Sequence, residues 1–308
     1  MPRVAVVGIV GRTNAGKSTL VNRLVGEKVS IVSPVEQTTR NTVRGIVSDP
    51  RGQLVLLDTP GLHKAVGELG RLLNRMARRS AAGADITCVV FDASDEPRME
   101  DVGWMQRVVN EKPAKVVFVL NKADRSPFYE KMFRDAWGEC SAGIEGLAQP
   151  IWTKCIATTE GGAKSVADAL FSLAEEGELL FDEDIATDYP RKLAIADSIR
   201  EKYLAKLHQE LPHEIGVVVE DIREKEGPGG GRPVWKIKVD ILVNRASQKP
   251  IVIGRGAQMV KYVRKCSERE VGEMFGVKAE MEIWVRVEPN WMKDKRLLME
   301  MGYMGDLV

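Results

Sequence analysis

The stretch Gly11-Arg-Thr-Asn-Ala-Gly16-Lys17-Ser18 decides the fold, because it follows an apolar run at residues 4–10 and opens an amphipathic segment. A glycine-rich turn between strand and helix aims backbone N–H groups at phosphate oxygens, near the positive end of the helix. In such a loop the lysine reaches the terminal phosphates and the next hydroxyl ligates Mg²⁺. The pattern therefore predicts a P-loop with Lys17 and Ser18 in these roles. The alternative is a chance glycine-rich turn, which this context disfavours.

The sequence around the P-loop predicts a complete α/β domain. Four nearly continuous apolar runs are typical of strands buried on both faces. These runs lie at residues 4–10, 53–58, 86–93 and 115–121. Helical patterns separate them, after Lys17 and at Leu69–Ala81. Such alternation predicts a mixed, mostly parallel sheet with helices on both faces, over residues 1–180.

A second motif, Asp58-Thr59-Pro60-Gly61, follows the run at residues 53–58. A carboxylate at the end of a strand beside the P-loop can hold Mg²⁺ through its water shell, which assigns Asp58. The N–H of Gly61 can contact the γ-phosphate, so this loop would sense that phosphate. Alone the segment would be an ordinary turn, but the P-loop makes the nucleotide interpretation specific.

A third motif, Asn121-Lys122-Ala-Asp124, follows the run at residues 115–121. The Asp124 carboxylate can accept two hydrogen bonds from guanine, whereas adenine has no matching pair of donors. Sites built on hydrogen bonds reject analogues that lack them by factors on the order of 10⁴. Asn121 would tie this loop to the P-loop, and the Lys122 stem would cover the base. The alternative is a surface turn.

These three motifs, together with Gln37-Thr38-Thr39-Arg40, resemble the TrmE–Era branch of GTPases, and the second half of the chain narrows the resemblance to the GTPase Era family. The resemblance implies that Thr39, or alternatively Thr38, closes over the nucleotide and ligates Mg²⁺; a solvated loop is the other interpretation. It also places the base-supporting fifth motif at Ala157 and Thr158, where the family normally has Ser-Ala. The residues expected to contact GTP or GDP are Gly11, Arg12, Thr13, Asn14, Ala15, Gly16, Lys17, Ser18, Thr19, Asp58, Thr59, Pro60, Gly61, Asn121, Lys122, Asp124, Ala157 and Thr158.

Hydrolysis is expected to be slow without a partner. Leu62 follows Gly61 where Ras-type GTPases carry the glutamine that orients the attacking water, and leucine forms no hydrogen bond. Asn14 matches the position through which some related GTPases recruit K⁺, which could supply charge in the transition state. His63 is a candidate base, although a solvated switch residue or a partner contact is favoured. The expected catalytic residues are Lys17, Thr39 and Gly61, and the expected metal ligands are Ser18, Thr39 and Asp58 for Mg²⁺ and Asn14 for K⁺.

The second half predicts a smaller α+β domain over residues 191–308, joined by an acidic linker at residues 181–190. The expected elements are helices at Lys192–Glu210, Ala257–Cys266 and Trp291–Met301 and strands at Glu214–Glu224, Val234–Val243 and Met281–Val287. Taken in chain order, these elements resemble a type II KH domain, which binds single-stranded RNA. Residues 232–269 contain ten lysines and arginines against two acidic residues, which favours phosphate binding over a merely solvated surface.

The KH clamp is expected at Gly254-Arg255-Gly256-Ala257, although a strict GxxG motif would have its second glycine at position 257. The sequence therefore predicts a shortened loop with an altered register. The expected RNA-binding residues are Gly254, Arg255, Gly256, Gln258, Lys261, Arg264 and Lys265. Trp284 and Trp291 could stack on bases, but their apolar neighbours favour core packing for both.

Composition sets broader limits. The 308 residues suit about two domains, and a net charge of +1 by itself predicts neither nucleic acid nor membrane as a partner. Four scattered cysteines without a CxxC pair argue against zinc and disulfides and fit a reducing compartment. The start of the chain has no signal pattern, so we expect a cytoplasmic monomer, or an organelle-matrix protein if a transit peptide has been removed. Peripheral membrane association is a further expected interaction.

The combined interpretation is a GTP-hydrolysing switch that binds small-subunit, 16S-type ribosomal RNA and acts in assembly of the small ribosomal subunit. Two rivals remain at this point. One is a signalling or membrane-associated GTPase whose second domain binds protein, and the other is a nucleotide-gated RNA scaffold with negligible hydrolysis. An ATP-using kinase fits poorly, because Asp124 would have no adenine partner.

Overall fold

The computed structural model describes residues 1–32, 41–59, 83–159, 161–207 and 211–303. The described chain forms two compact units, the first comprising residues 1–30 and 41–188, and the second residues 189–303 with Ile31 and Val32. The helix predicted at Leu69–Ala81 lies outside the described residues. No helix within the described ranges is both long enough and apolar enough to cross a bilayer.

The first unit is built on a seven-stranded sheet. Its elements are β1 (Arg3–Val10), α1 (Lys17–Val25), β2 (Val43–Asp49), β3 (Gly52–Asp58), β4 (Ile86–Asp92), α2 (Met99–Glu111), β5 (Val116–Asn121), α3 (Glu130–Ser141), β6 (Ile151–Lys154), α4 (Lys164–Leu173) and β7 (Glu175–Glu176). The strand order is β2-β3-β1-β4-β5-β6, and β7 pairs with the start of β1. All neighbours along this order are parallel except β2 with β3, so the prediction of a mixed, mostly parallel sheet is confirmed.

Burial on both faces explains the continuous apolar runs. In β4 and β5 every residue is buried. Alternate side chains pack toward α1 and α4 on one face and toward α2 and α3 on the other, which creates two separate cores. Burying the apolar surface of these side chains stabilises the sheet, by roughly 25 cal/mol for each Å² removed from water. Because β1, β3 and β5 are parallel, the loops after them meet at one edge of the sheet.

The sequence predicted a linker at residues 181–190, but residues 180–188 are hydrogen-bonded to the sheet of the first unit. The side-chain oxygen of Gln53 accepts hydrogen bonds from the backbone N–H groups of Leu180 and Phe181, at 2.9 and 3.0 Å. The N–H of Ile46 donates to the carbonyl of Ala186 at 2.8 Å. The bond from Ile46 satisfies a backbone N–H of β2, an edge strand that would otherwise expose it.

The second unit packs helices on a three-stranded sheet with the order β10-β9-β8. Its elements are α5 (Arg191–Leu204), α6 (Leu211–Glu214), β8 (Gly216–Lys225), β9 (Val234–Val243), α7 (Lys249–Ile253), α8 (Gln258–Phe275), β10 (Lys278–Val287) and α9 (Lys295–Glu300). Strand β8 is antiparallel to β9, whereas β10 is parallel to it. Helices α5 and α8 supply apolar side chains to one core with the sheet.

Two predictions for this unit are wrong. The closing helix is interrupted, because a 3₁₀ turn at Trp291–Lys293 precedes α9 and Asp294 caps that helix by accepting from the N–H groups of Arg296 and Leu297. Core packing is correct for Trp291, which has 0% exposure, but not for Trp284, which is 63% exposed. Strand alternation explains the difference, because the neighbours Ile283 and Val285 point to the core and leave Trp284 on the outer face.

Candidate functional site

The P-loop lies between β1 and α1, and its glycines are sterically required. Gly16 has φ 97°, and a Cβ there would lie 2.2 Å from the side-chain nitrogen of Asn121. Gly11 has φ 146°, and a Cβ there would lie 2.3 Å from the carbonyl oxygen of Val90. Both positions therefore need glycine, because the sheet and the guanine-reading loop approach the P-loop backbone directly.

Lys17 is held inside the P-loop. Its ammonium donates to the carbonyl oxygens of Gly11 and Arg12, at 3.1 and 2.8 Å. Burial lowers the pKa of Lys17 to about 8, and the nearby Asp58 carboxylate opposes this fall. A buried ammonium with carbonyl partners and little water is prepared to bind phosphate, whose negative charge would favour the protonated form.

Asp58 is fully buried at the end of β3. Burial raises the pKa of its carboxyl, and the Ser18 hydroxyl and the Lys17 ammonium oppose the rise. Among the described residues neither carboxylate oxygen accepts a well-aligned hydrogen bond. A buried carboxylate close to a serine hydroxyl has the chemistry of a Mg²⁺ site. The same segment is anchored by Thr59, whose hydroxyl donates to the Ile9 carbonyl at 2.9 Å.

Asn121 joins three loops through one side chain. Its amide nitrogen donates to the Ala15 carbonyl in the P-loop at 2.9 Å. Its amide oxygen accepts from the N–H of Ala157 at 3.2 Å. The tie to the P-loop that the sequence predicts is therefore present, and it extends to the segment expected as the fifth motif.

A cleft opens where these loops meet. It is lined by Gly16, Thr19, Asn121, Lys122, Asp124, Arg125, Ala157 and Thr158. Asp124 is exposed, so its carboxylate is accessible to the base of a nucleotide. The structure thus brings the P-loop, the guanine-reading motif and the fifth motif to one place.

Sequence reasoning missed Arg23 on α1. Its guanidinium donates to the carbonyls of Ala157 and Thr158, at 3.3 and 2.9 Å, and so fixes the loop that lines the cleft. The available signal was its position four residues after Thr19, which places both on one helix face. Arg125 was also missed, although it directly follows the third motif.

Arg12, which the sequence predicts to contact the nucleotide, is not among the residues that line the cleft, and its side chain is buried against carboxylates. It is 7% exposed, and its Nε lies 3.1 Å from a carboxylate oxygen of Asp101. A buried arginine needs carboxylate partners, and for Arg12 these are Asp92 at the end of β4 and Asp101 in the first turn of α2. Arg12 therefore contributes to the P-loop through its backbone carbonyl.

Several residues predicted for the site lie outside the described ranges. The segment with Thr38 and Thr39 lies outside the described residues, and so do Pro60, Gly61, Leu62 and His63. Asn14 is described, with φ 60° and an exposed side chain in the P-loop.

The expected clamp in the second unit forms a closed turn over residues 254–257, and its shortening relative to a strict GxxG loop stays a prediction. The N–H of Ala257 donates to the carbonyl of Gly254 at 3.0 Å, which closes the turn. Ala257 has φ 60°, a left-handed conformation that favours glycine. Gly254 is required sterically, because a Cβ there would lie 2.7 Å from that of Met259.

Helix α8 starts directly after this turn and carries the basic residues. Arg255, Gln258, Lys261, Arg264 and Lys265 are all exposed. The Lys261 ammonium reaches back to the Gly256 carbonyl at 3.5 Å. The turn and the first half of α8 therefore form one basic surface.

Comparison with known proteins agrees with this division of the chain. The family described as 50S ribosome-binding GTPase matches residues 6–122, and the KH domain family matches residues 210–292. GTPase Era of Geobacter sp. (strain M21) is 36% identical over 302 residues, covering 98% of both chains. GTPase Era of Lacticaseibacillus paracasei is 35% identical, covering 96% of this chain and 95% of the relative.

Two solved structures match nearly the whole chain. One is Era in complex with MgGDPNP and nucleotides 1506–1542 of 16S ribosomal RNA, and the other is a variant of Aquifex aeolicus Era bound to GDP·AlF4⁻. Each has a TM-score of 0.86 and 31% sequence identity, and covers 98% of this chain and 99% of the other.

Proposed function

Because this chain belongs to the GTPase Era family, we propose that it is a GTP-hydrolysing switch whose second unit binds small-subunit ribosomal RNA during assembly of that subunit. The observation that carries the nucleotide part is the cleft that Asp124 lines together with the P-loop residue Gly16, where the Asn121 side chain is bonded to the P-loop backbone. The related Era solved with MgGDPNP and 16S ribosomal RNA supports the RNA part.

Each residue at the nucleotide end has a distinct role in this proposal. Lys17 binds the β- and γ-phosphates, and its two carbonyl partners keep it aimed at them. Ser18 and Asp58 hold Mg²⁺, with Thr39 as a further ligand. When bound, the metal neutralises charge on the phosphate oxygens. Gly61 contacts the γ-phosphate.

Hydrolysis is slow without a partner in this proposal, because Leu62 cannot orient water. Asn14 recruits K⁺, which supplies positive charge in the transition state. A comparison of phosphate release in K⁺ and in Na⁺ tests this role, and equal rates would remove it. His63→Ala with unchanged turnover would exclude a histidine base.

The basic surface of the second unit binds the RNA backbone. Gly254 and Gly256 allow the close approach of a phosphate, and Arg255, Lys261 and Arg264 neutralise charge. Replacing Lys261 and Arg264 together with alanine is expected to reduce the slope of log K against log salt by about 1–2 units. Equal RNA affinity with GDP and with a non-hydrolysable GTP analogue would contradict coupling between the two units.

We further infer that the protein acts as a cytoplasmic monomer, with peripheral membrane contact as a secondary interaction. Sedimentation of the purified chain and fractionation of cells test these points.

Asp124→Asn tests the central claim. Asparagine cannot accept both guanine donors, so GTP affinity should fall by at least about a hundredfold. Its N–H should instead suit the C2 carbonyl of xanthine, so xanthosine triphosphate should bind better than GTP. Asp135→Asn removes the same charge at an exposed position on α3 and is the matched control. Equal binding of ATP and GTP by the wild type would overturn the proposal.

A further inference from the structure

The Arg12 side chain forms a buried ion pair that the P-loop motif does not explain. Arg12 and Asp101 are 7% and 0% exposed, and their closest atoms are 3.1 Å apart. Removing one partner from such a pair leaves an uncompensated buried charge, which is strongly unfavourable. The pair therefore constrains both segments that carry it.

Asp101 is itself fixed by the start of α2. The carboxylate oxygen that faces Arg12 also accepts the backbone N–H of Arg98 at 3.0 Å. This contact caps the first turn of the helix, so Asp101 moves only if α2 moves. The P-loop arginine is thus attached to a rigid element.

The Arg12 backbone transmits this attachment to Lys17. The Arg12 carbonyl accepts from the Lys17 ammonium at 2.8 Å, while the Arg12 guanidinium is held by Asp101. A displacement of Arg12 would therefore displace a carbonyl that aims the phosphate-binding group. Misplacing such a group by about 1 Å can lower a rate on the order of a hundredfold.

Asp92, at the end of β4, links the same support to the guanine-reading loop. One of its oxygens lies 3.4 Å from the Arg12 guanidinium and also accepts from the Lys122 ammonium. Its other oxygen accepts from the Ser94 hydroxyl at 2.6 Å. Burial would raise the pKa of Asp92, but the hydrogen bonds from Lys122 and Ser94 outweigh it and lower that pKa.

We propose that Asp101 is a positioning residue for GTP binding and hydrolysis, which acts through Arg12 on the P-loop backbone that aims Lys17. Asp92 connects this support to Lys122, so both ends of the nucleotide are held by residues 92–101, which run from the end of β4 into the first turn of α2. The inference rests on the proposed role of Lys17 in phosphate binding. None of the nucleotide-binding motifs contains Asp92 or Asp101.

A double-mutant cycle on the full chain tests the proposal. Asp101→Asn keeps the shape and the acceptor for Arg98 but removes the charge, and Arg12→Met removes the guanidinium. Each single change should lower kcat for GTP and speed GDP release by about tenfold, within the range expected for charged partners in contact. The double variant should be no worse than Arg12→Met alone, which also loses the contact of Arg12 with Asp92. Glu96→Gln removes an exposed charge from the same segment and should leave both rates within about twofold.

The melting temperature of each variant without nucleotide separates positioning from stability. If Asp101→Asn lowers only the melting temperature, or if the two single effects multiply in the double variant, the proposal is wrong. Should Asp101→Asn fail to fold, Arg12→Lys keeps the charge but shortens the reach, and unchanged kcat and GDP release in that variant would equally overturn it. The wild type is measured alongside, so absence of GTP hydrolysis there would count against the proposed function instead.

Discussion

Ala257 is expected to be strained, and replacing it with glycine should stabilise the second unit. Its φ of 60° and ψ of 24° place an alanine at the left-handed cap that begins α8. This conformation costs an L-residue about 1–2 kcal/mol, because its Cβ approaches the following carbonyl oxygen. Glycine removes that contact but makes the unfolded chain more flexible, which offsets about 0.4–1 kcal/mol. The net gain for Ala257→Gly should be about 0.5–1 kcal/mol.

Differential scanning calorimetry of the full chain measures this gain. Two units can unfold in separate transitions, so the transition of the second unit must be assigned first, for example by its response to RNA rather than to nucleotide. A gain of this size should raise its Tm by about 2–5 °C. The Tm of the first unit should not change.

Gly256→Ala is the matched control in the opposite direction. Gly256 has φ 58°, and a Cβ there would meet nothing within 4 Å, so only backbone strain is added. This change should destabilise the second unit by about 0.5–1 kcal/mol, because the strain exceeds the entropy that alanine removes from the unfolded chain. If Ala257→Gly lowers the Tm, or if Gly256→Ala leaves it unchanged, the assignment of strain to this turn is refuted.

Three further changes follow from burial and steric contact. Burial raises the pKa of the Asp101 carboxyl to about 6, above its value of 3.8 in the unfolded chain. Asp101 therefore contributes to the free energy of unfolding fully below pH 3.8, and this contribution is lost as pH rises through 6. Urea unfolding should show a larger fall over this range in the wild type than in Asp101→Asn, because Asp58, whose pKa burial also raises, contributes in both; equal falls would contradict the prediction. Trp291→Ala should destabilise the second unit by about 3–5 kcal/mol, whereas Trp284→Ala should change its stability by less than about 0.5 kcal/mol; equal effects in calorimetry would contradict their different burial. Gly16→Ala should weaken GDP binding by at least about tenfold in titration calorimetry, because its Cβ would displace Asn121, whereas Gly26→Ala, where a Cβ meets nothing within 4 Å, should leave binding unchanged.

The nucleotide motifs could be predicted because each is a short contiguous segment. A P-loop requires glycines, a lysine and a hydroxyl in one turn after a strand, so the local sequence fixes both conformation and chemistry. The apolar runs indicated parallel strands, and parallel strands bring Ser18, Asp58 and Asn121 to the same edge. The sequence predicted that α8 ends at Cys266, whereas the helix continues to Phe275. No glycine or proline marks an end at Cys266, and the stop signal is Gly276.

The sequence alone determined an α/β unit with a P-loop and a guanine-reading motif, followed by a basic α+β unit, because those properties reside in local patterns. Only the tertiary structure decided that Arg12 pairs with Asp101, that Arg23 holds the fifth motif, and that Trp284 faces outward while Trp291 is buried. Those contacts join segments far apart in the chain, and the energy of a buried charge or ring depends on the neighbours that folding supplies.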